Sequence, residues 1–206
     1  MRRALAIAAL AVTVMAGGAT AAPAPLRKVP PQKAPSQAVP RRIWYPGPHY
    51  PVLVLPDGTR RPVHSLLNVS RPMTFGGWAW DDDGVPPGPI WIRVDLAAQL
   101  ISVFRGENEI GSAVILYGAR AKPSPLGIFR ILQKARTYRS FTYDAPMPDM
   151  LRLTNDGVAI HASDVRSGWA THGCIGVPEE FAARLFDAAR LGDTAVIVGP
   201  ERFTVK

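Results

Sequence analysis

From Ile90 onward the chain alternates apolar and polar side chains with a period of two. Ile90, Ile92, Val94 and Leu96 take one side, and Trp91, Arg93 and Asp95 take the other. That period fits a pleated strand with one buried face and does not fit an amphipathic helix. Short β-like runs follow at 100–104, 112–117, 126–132, 150–154 and 158–161. Gly106, Gly118, Pro123-Ser124-Pro125 and Asn155-Asp156-Gly157 separate them. Short strands punctuated in this way predict a mainly β fold, a sandwich or an open barrel. One helix is expected over 178–191. Pro178 suits its first position, Glu179 and Glu180 its positive dipole end, and Arg190 and Gly192 its other end. Phe181, Leu185, Ala188 and Ala189 form its apolar stripe. A last strand over 195–198 closes a domain of about 110 residues (90–199), enough for one core.

The N-terminal part has a different character. Met1-Arg2-Arg3, an apolar run over 4–16 and Ala19-Thr20-Ala21 give the three-part pattern of a secretory signal, expected over 1–21. The run has 13 residues, short of the roughly 18 of a spanning helix, so no stable membrane anchor is expected. Nine of the 21 prolines fall between Pro23 and Pro51, among basic residues, and residues 22–51 read as an extended linker. The formal charge is +8, yet residues 1–56 hold seven Lys and Arg and no acid, leaving +1 for the remainder. The charge belongs to the tail, so a nucleic-acid partner is not expected for the folded part.

Residues 52–89 carry weaker signals. Val52-Leu53-Val54-Leu55 before Pro56-Asp57-Gly58 suggests a strand and turn. Asp81-Asp82-Asp83 lacks the alternate spacing of a calcium loop and reads as a solvated acidic turn. Residues 200–206 read as a short C-terminal tail.

Cys174 is the only cysteine in 206 residues. Alone, it cannot close an intrachain disulfide in an oxidising compartment. It follows His172-Gly173, and His161 lies thirteen positions upstream. A thiol is a nucleophile as the thiolate, and an adjacent imidazole can take its proton. His161 ends an apolar run that would fix its ring. Gly173 allows a sharp turn that aims the amides of His172, Gly173 and Cys174 at one point, as an oxyanion hole requires. Base, nucleophile and oxyanion donors together are the parts of acyl transfer. A zinc site on His161, His172 and Cys174 has enough ligands but no common zinc spacing. A buried structural cysteine would not need His-Gly before it. His172 could also act as a second acid or base, but its amide is the expected contribution. His49 and His64 receive no role.

His161-Ala162, Gly168 and Thr171-His172-Gly173-Cys174-Ile175 resemble the signature of the bacterial L,D-transpeptidases, the YkuD-type catalytic domain. Ile92-Arg93-Val94-Asp95-Leu96-Ala97-Ala98-Gln99 resembles that family's first strand. Ser124-Pro125-Leu126-Gly127-Ile128-Phe129-Arg130-Ile131 resembles its (Ser/Thr)-Pro-x-Gly-x-Phe-x-Ile segment. The likeness covers about 90–199 and implies an L,D-transpeptidase-like β-sandwich with one helix after the catalytic cysteine. It implies Cys174 as nucleophile, His161 as general base, and the amides of His172, Gly173 and Cys174 as the oxyanion hole. Ala162 would orient His161 through its backbone, with Thr171, Gly168 and Trp169 on the substrate side. No cofactor or metal is implied.

The implied activity is peptidoglycan cross-linking by an exported protein of the periplasm or cell envelope. A thioester with a stem-peptide donor would pass to an amine, from another stem peptide or from an envelope protein. Hydrolysis at the same site and a non-catalytic wall-binding module are the competing readings, because a fold alone does not fix activity. Three positions depart from the family's habit. Ala162 stands where glycine is frequent, Gly176 where arginine usually follows Cys-Ile, and Asp149 where an aromatic residue is frequent.

Overall fold

The computed structural model describes residues 41–69 and 72–199. The expected signal segment, the linker up to residue 40 and the tail at 200–206 lie outside the described residues. In the N-terminal part the strands are β1 (Arg41–Trp44), β2 (Val52–Val54), β3 (Arg60–Pro62), β4 (Ser65–Asn68) and β5 (Trp78–Trp80). Then come β6 (Ile90–Asp95), β7 (Leu100–Arg105), β8 (Asn108–Val114), β9 (Gly127–Arg130) and β10 (Gln133–Ala135). The site region holds β11 (Met150–Arg152), β12 (Ala159–Ala162), β13 (Ile175–Val177) and helix α1 (Glu179–Ala188), and β14 (Thr194–Val198) is last.

Two sheets face each other, as a mainly β sandwich requires. The larger runs β1-β4-β8-β7-β6-β14-β9, with β5 also paired to β8. The smaller runs β10-β11-β12-β13. Ile92, Val94, Ile101 and Ile110 of the first share one core with Leu151, Ile160, Ile175 and Val177 of the second. Phe181 and Leu185 of α1 pack into the same core. Removing a ring as buried as that of Phe181 costs about 3–5 kcal/mol.

The outer face of β6 departs from the expected alternation. Trp91 is 2% exposed rather than solvated. It stacks on Phe104 at 4.3 Å and packs with Leu55, Val63 and Val196. Leu55 and Val63 flank the β2–β3 ribbon, so residues of the 52–89 stretch cover this face at Trp91, while Arg93 and Asp95 stay partly exposed. Period-two reading sees one strand and not what lies over it.

The expected linker also ends earlier than residue 51. β1 pairs antiparallel with β4 along its whole length. The Arg42 side chain, 5% exposed, explains the docking. Its Nη1 donates to Ser65 Oγ and to the Glu109 carbonyl, and its Nη2 donates to the Asp81 carbonyl and meets the Asp81 carboxylate. The acidic turn is therefore not merely solvated. Asp81 meets Arg42, and Asp82 pairs with Arg105 at 2.8 Å.

The helix is shorter than 178–191. Pro178 is its N-cap and Glu179 and Glu180 fill its first turn, but its last turn has no basic residue. Arg190 lies beyond the end. Lys134 of β10 takes its place, donating from Nζ to the carbonyls of Phe186 and Ala189. Burial lowers the Lys134 pKa. Among the described residues, no helix is long and apolar enough to cross a membrane.

Candidate active site

The segment 171–176 is held from both sides. Leu116 and Gly176 exchange two backbone hydrogen bonds, of 2.8 and 2.9 Å. At the other end Thr171 donates to Tyr117 and accepts from Ala119. Between these clamps, Ser124 Oγ donates to the Gly173 carbonyl at 2.9 Å and accepts from the Gly118 amide at 3.0 Å. Thr171 Oγ1 donates to the Cys174 carbonyl at 2.5 Å. Gly173 has φ +107°, a region closed to most side chains. Its carbonyl is turned toward Ser124. Among the described residues, the amides of His172, Gly173 and Cys174 donate to no protein acceptor, which leaves them free for an oxyanion.

β13 pairs in parallel with β12, with His161 level with Gly176 and Ile160 with Ile175. Cys174 therefore lies beside Ala159, and the pleat places Ala159 and His161 on one face. His161 and Cys174 line the same cavity, of about 1090 Å³, with Thr171, His172 and Ala162. The thiol points to the Gly157 carbonyl at 3.8 Å. Burial pushes the thiol pKa up, against the Ala159 amide and the charge of Lys122. His161 Nδ1 lies 2.8 Å from the Ala162 carbonyl. Burial lowers the imidazole pKa more than that bond raises it. Both shifts favour the uncharged forms of the two groups.

Not every predicted residue reaches the cavity. Gly168 and Trp169 sit on the exposed turn beside it and are not among its lining residues; Trp169 faces the Arg166 guanidinium instead. Sequence reasoning missed Lys122, Tyr143 and Arg152, which do line it. Tyr143 stacks on His172 at 4.4 Å and accepts from Lys122 Nζ at 2.9 Å. These contacts join residues 21 and 29 positions apart in sequence, so no local pattern announces them. Ser124 reads in sequence as part of a turn and of the segment up to Ile131, whereas its hold on Gly173 depends on a partner 49 positions away. Among the described residues, no three His, Cys, Asp or Glu side chains gather as a metal site, so the zinc arrangement on His161, His172 and Cys174 is not assembled.

The departures from the expected pattern also find their places. A Cβ at Gly176 would meet Ser163 Cβ at 2.8 Å, so its space is already filled. Asp149 is bound to Arg136 at 2.8 Å, away from the cavity lining. Ala162 acts on His161 through its carbonyl, which any residue supplies.

Known proteins resemble this chain in sequence and fold. A family model, the L,D-transpeptidase catalytic domain (YkuD), matches residues 89–198. L,D-transpeptidase 1 of Mycobacterium tuberculosis is 30% identical over 135 residues, covering 57% of this chain and 54% of that protein. The chain thus spans about half the length of the curated relatives it matches. An L,D-transpeptidase structure from Stackebrandtia nassauensis has a TM-score of 0.51 at 22% identity, covering 58% of this chain and 60% of that one. The structure of LD transpeptidase LdtMt1 in complex with imipenem gives 0.51 at 23%, covering 53% and 58%. Those two likenesses establish a common fold. With the family model spanning more than half of its length, the chain belongs to the YkuD family of L,D-transpeptidase catalytic domains.

Proposed function

We propose that this protein is a cysteine acyltransferase that cross-links peptidoglycan by L,D-transpeptidation. The observation that carries the reading is the joint placement of three parts in one cavity. These are the thiol of Cys174, an imidazole whose Nδ1 is held by Ala162, and the acceptor-free amides of the cavity-lining His172 and Cys174, with that of Gly173 between them. A carbonyl can only accept, so Nδ1 carries the hydrogen and Nε2 keeps its lone pair for the thiol proton.

As that proton moves to Nε2, the sulfur attacks the carbonyl of the donor's third residue, a diamino acid. The amides of His172, Gly173 and Cys174 hold the oxyanion. Collapse breaks the amide, and His161 returns the proton to the departing D-alanine amine. An amine of the acceptor then attacks the thioester, and the thiol re-forms. No step calls for a metal or an organic cofactor. We place the protein outside the cytoplasm, in the periplasm or cell envelope, as the signal-like N-terminus suggests. The acceptor amine comes from a second stem peptide or an envelope protein.

Mass spectrometry of muropeptides incubated with the purified protein tests this. Cross-linked product or exchange of the terminal residue is expected, abolished by thiol alkylation and untouched by EDTA. Tripeptide as the sole product would make water the acceptor. Loss with EDTA and recovery with zinc would overturn the thiol mechanism.

A further inference from the structure

Arg152, at the end of β11, is a charged group that the acyl-transfer machinery leaves unexplained. It pairs with Ala159 across the antiparallel β11–β12 ladder, so both side chains stand on the face that also carries His161. It lines the cavity that holds Cys174. Its Nε is buried without a hydrogen-bond partner. Among the described residues, the guanidinium meets no carboxylate or carbonyl acceptor either. A buried guanidinium N–H left unpaired is costly, and such groups find partners in nearly all folded proteins.

The other charges of the cavity do not supply that partner. Asp156 accepts from Thr154 Oγ1, Asp164 pairs with Arg166, and Glu179 is exposed in the first turn of α1. The second cation, Lys122, is tied to the Tyr143 hydroxyl at 2.9 Å. Arg152 is therefore the cavity's uncommitted cation, with a planar fork suited to a carboxylate.

We infer that Arg152 is a specificity-determining residue that binds a carboxylate of the acyl donor close to the scissile amide. The inference rests on the acyl-transfer reading above. A donor of that class offers two such groups, the terminal carboxylate of the residue that leaves and the free carboxylate of the diamino acid. An arginine on β11, separated from β13 by β12 and on the face that carries His161, would set the carbonyl's distance from the sulfur by gripping either one.

The test compares full-length wild type with Arg152→Gln and Arg152→Lys on three donors: the free acid, its C-terminal amide, and the peptide amidated on the diamino acid. Arg152→Gln should raise KM for the free acid about 10- to 100-fold with kcat little changed, the size of a hydrogen-bonded charge. Whichever amide removes the gripped carboxylate should make the two proteins equal, and Arg152→Lys should recover part of the loss. Equal losses on all three donors, or none, would overturn the assignment.

Alkylation of Cys174 decides the matter even if wild type transfers no donor, a result that would sink the acyl-transfer reading instead. Arg152→Gln should slow iodoacetate severalfold while leaving neutral iodoacetamide unchanged. An unchanged ratio of the two rates, or a slowed iodoacetamide reaction with a lowered melting temperature, would mean that Arg152 only supports the strand.

Discussion

His161 Nδ1 and the carbonyl of Ala162, adjacent residues of one strand, are 2.8 Å apart. In the proposed mechanism, holding the ring through the next residue's backbone makes the base independent of any side chain at position 162. His161→Ala should lower the rate of acyl transfer about 10²- to 10⁴-fold, the usual contribution of a general base. Ala162→Gly should keep kcat within a few-fold and lose about 1 kcal/mol of stability at most. Steady-state kinetics beside thermal melts check both. A large loss of kcat in Ala162→Gly would show that the Ala162 methyl matters to the ring.

Two burial effects set the pH dependence. Burial lowers the His161 pKa, so its neutral form persists to lower pH than that of a free imidazole. Donor kcat/KM should fall only as the pH drops through that lowered pKa, and the limb should vanish in His161→Ala. The stability effect has the same sign. Between the folded and unfolded pKa the unfolded chain binds more protons, so His161 makes stability rise with pH there. Cys174 titrates above its ordinary range, and iodoacetamide alkylation should keep rising with pH beyond that of a free thiol. A thiol that alkylates fully at neutral pH would indicate a standing thiolate–imidazolium pair instead.

The meeting of His161 and Cys174 in one cavity and most of the sandwich were legible because their signals are local. Alternation along β6 and the His-Gly-Cys turn lie within a few residues, and α1 is marked by Pro178 and its apolar stripe. What escaped depends on long-range partners. β1 looks like proline-rich linker until Arg42 finds Ser65, Asp81 and Glu109. The carbonyls at the end of α1 are met by Lys134, over fifty positions before them. Arg152 gives no sequence signal of its own, because an arginine ending a strand is ordinarily a solvated residue.

Arg42 should be worth more than a surface ion pair. Its side chain is 5% exposed and serves two carbonyls, the Ser65 hydroxyl and the Asp81 carboxylate. Arg42→Ala should destabilise the protein by about 3 kcal/mol, since it strands buried acceptors. Burial raises the pKa of neighbouring Glu109. In the window between its unfolded and raised folded pKa, the folded state binds more protons, so this group makes stability fall with rising pH. Denaturant unfolding across that window should show the slope in wild type and not in Glu109→Gln.

Ser124 ties the Gly118 amide to the Gly173 carbonyl and is 5% exposed. Ser124→Ala leaves both groups without their partner, at a cost of about 1–3 kcal/mol. The Gly173 peptide would be free to rotate and to re-aim its amides. Acylation of Cys174 by a carbapenem, followed by mass spectrometry, should slow by about tenfold or more, while iodoacetamide, which needs no oxyanion hole, reacts as before. Equal slowing of both reagents would place the defect at the thiol.

Gly176 tests how tightly the nucleophile's strand is built. A Cβ there would come 2.8 Å from Ser163 Cβ and 3.4 Å from Leu116 Cβ. The backbone cannot easily retreat, because the Gly176 amide and carbonyl are both bonded to Leu116. Gly176→Ala should therefore cost about 1–3 kcal/mol by overpacking, and Gly176→Arg should cost more. Gly176 is level with His161 across the β12–β13 pair, so any shift of the strand also moves Cys174 against its base and should lower kcat. Ser163→Gly removes the nearest obstructing atom. Combined with Gly176→Ala it should restore stability and rate together, with a coupling of about 0.5–3 kcal/mol in a double-mutant cycle. Additive losses would mean that Leu116, rather than Ser163, limits the space beside the nucleophile.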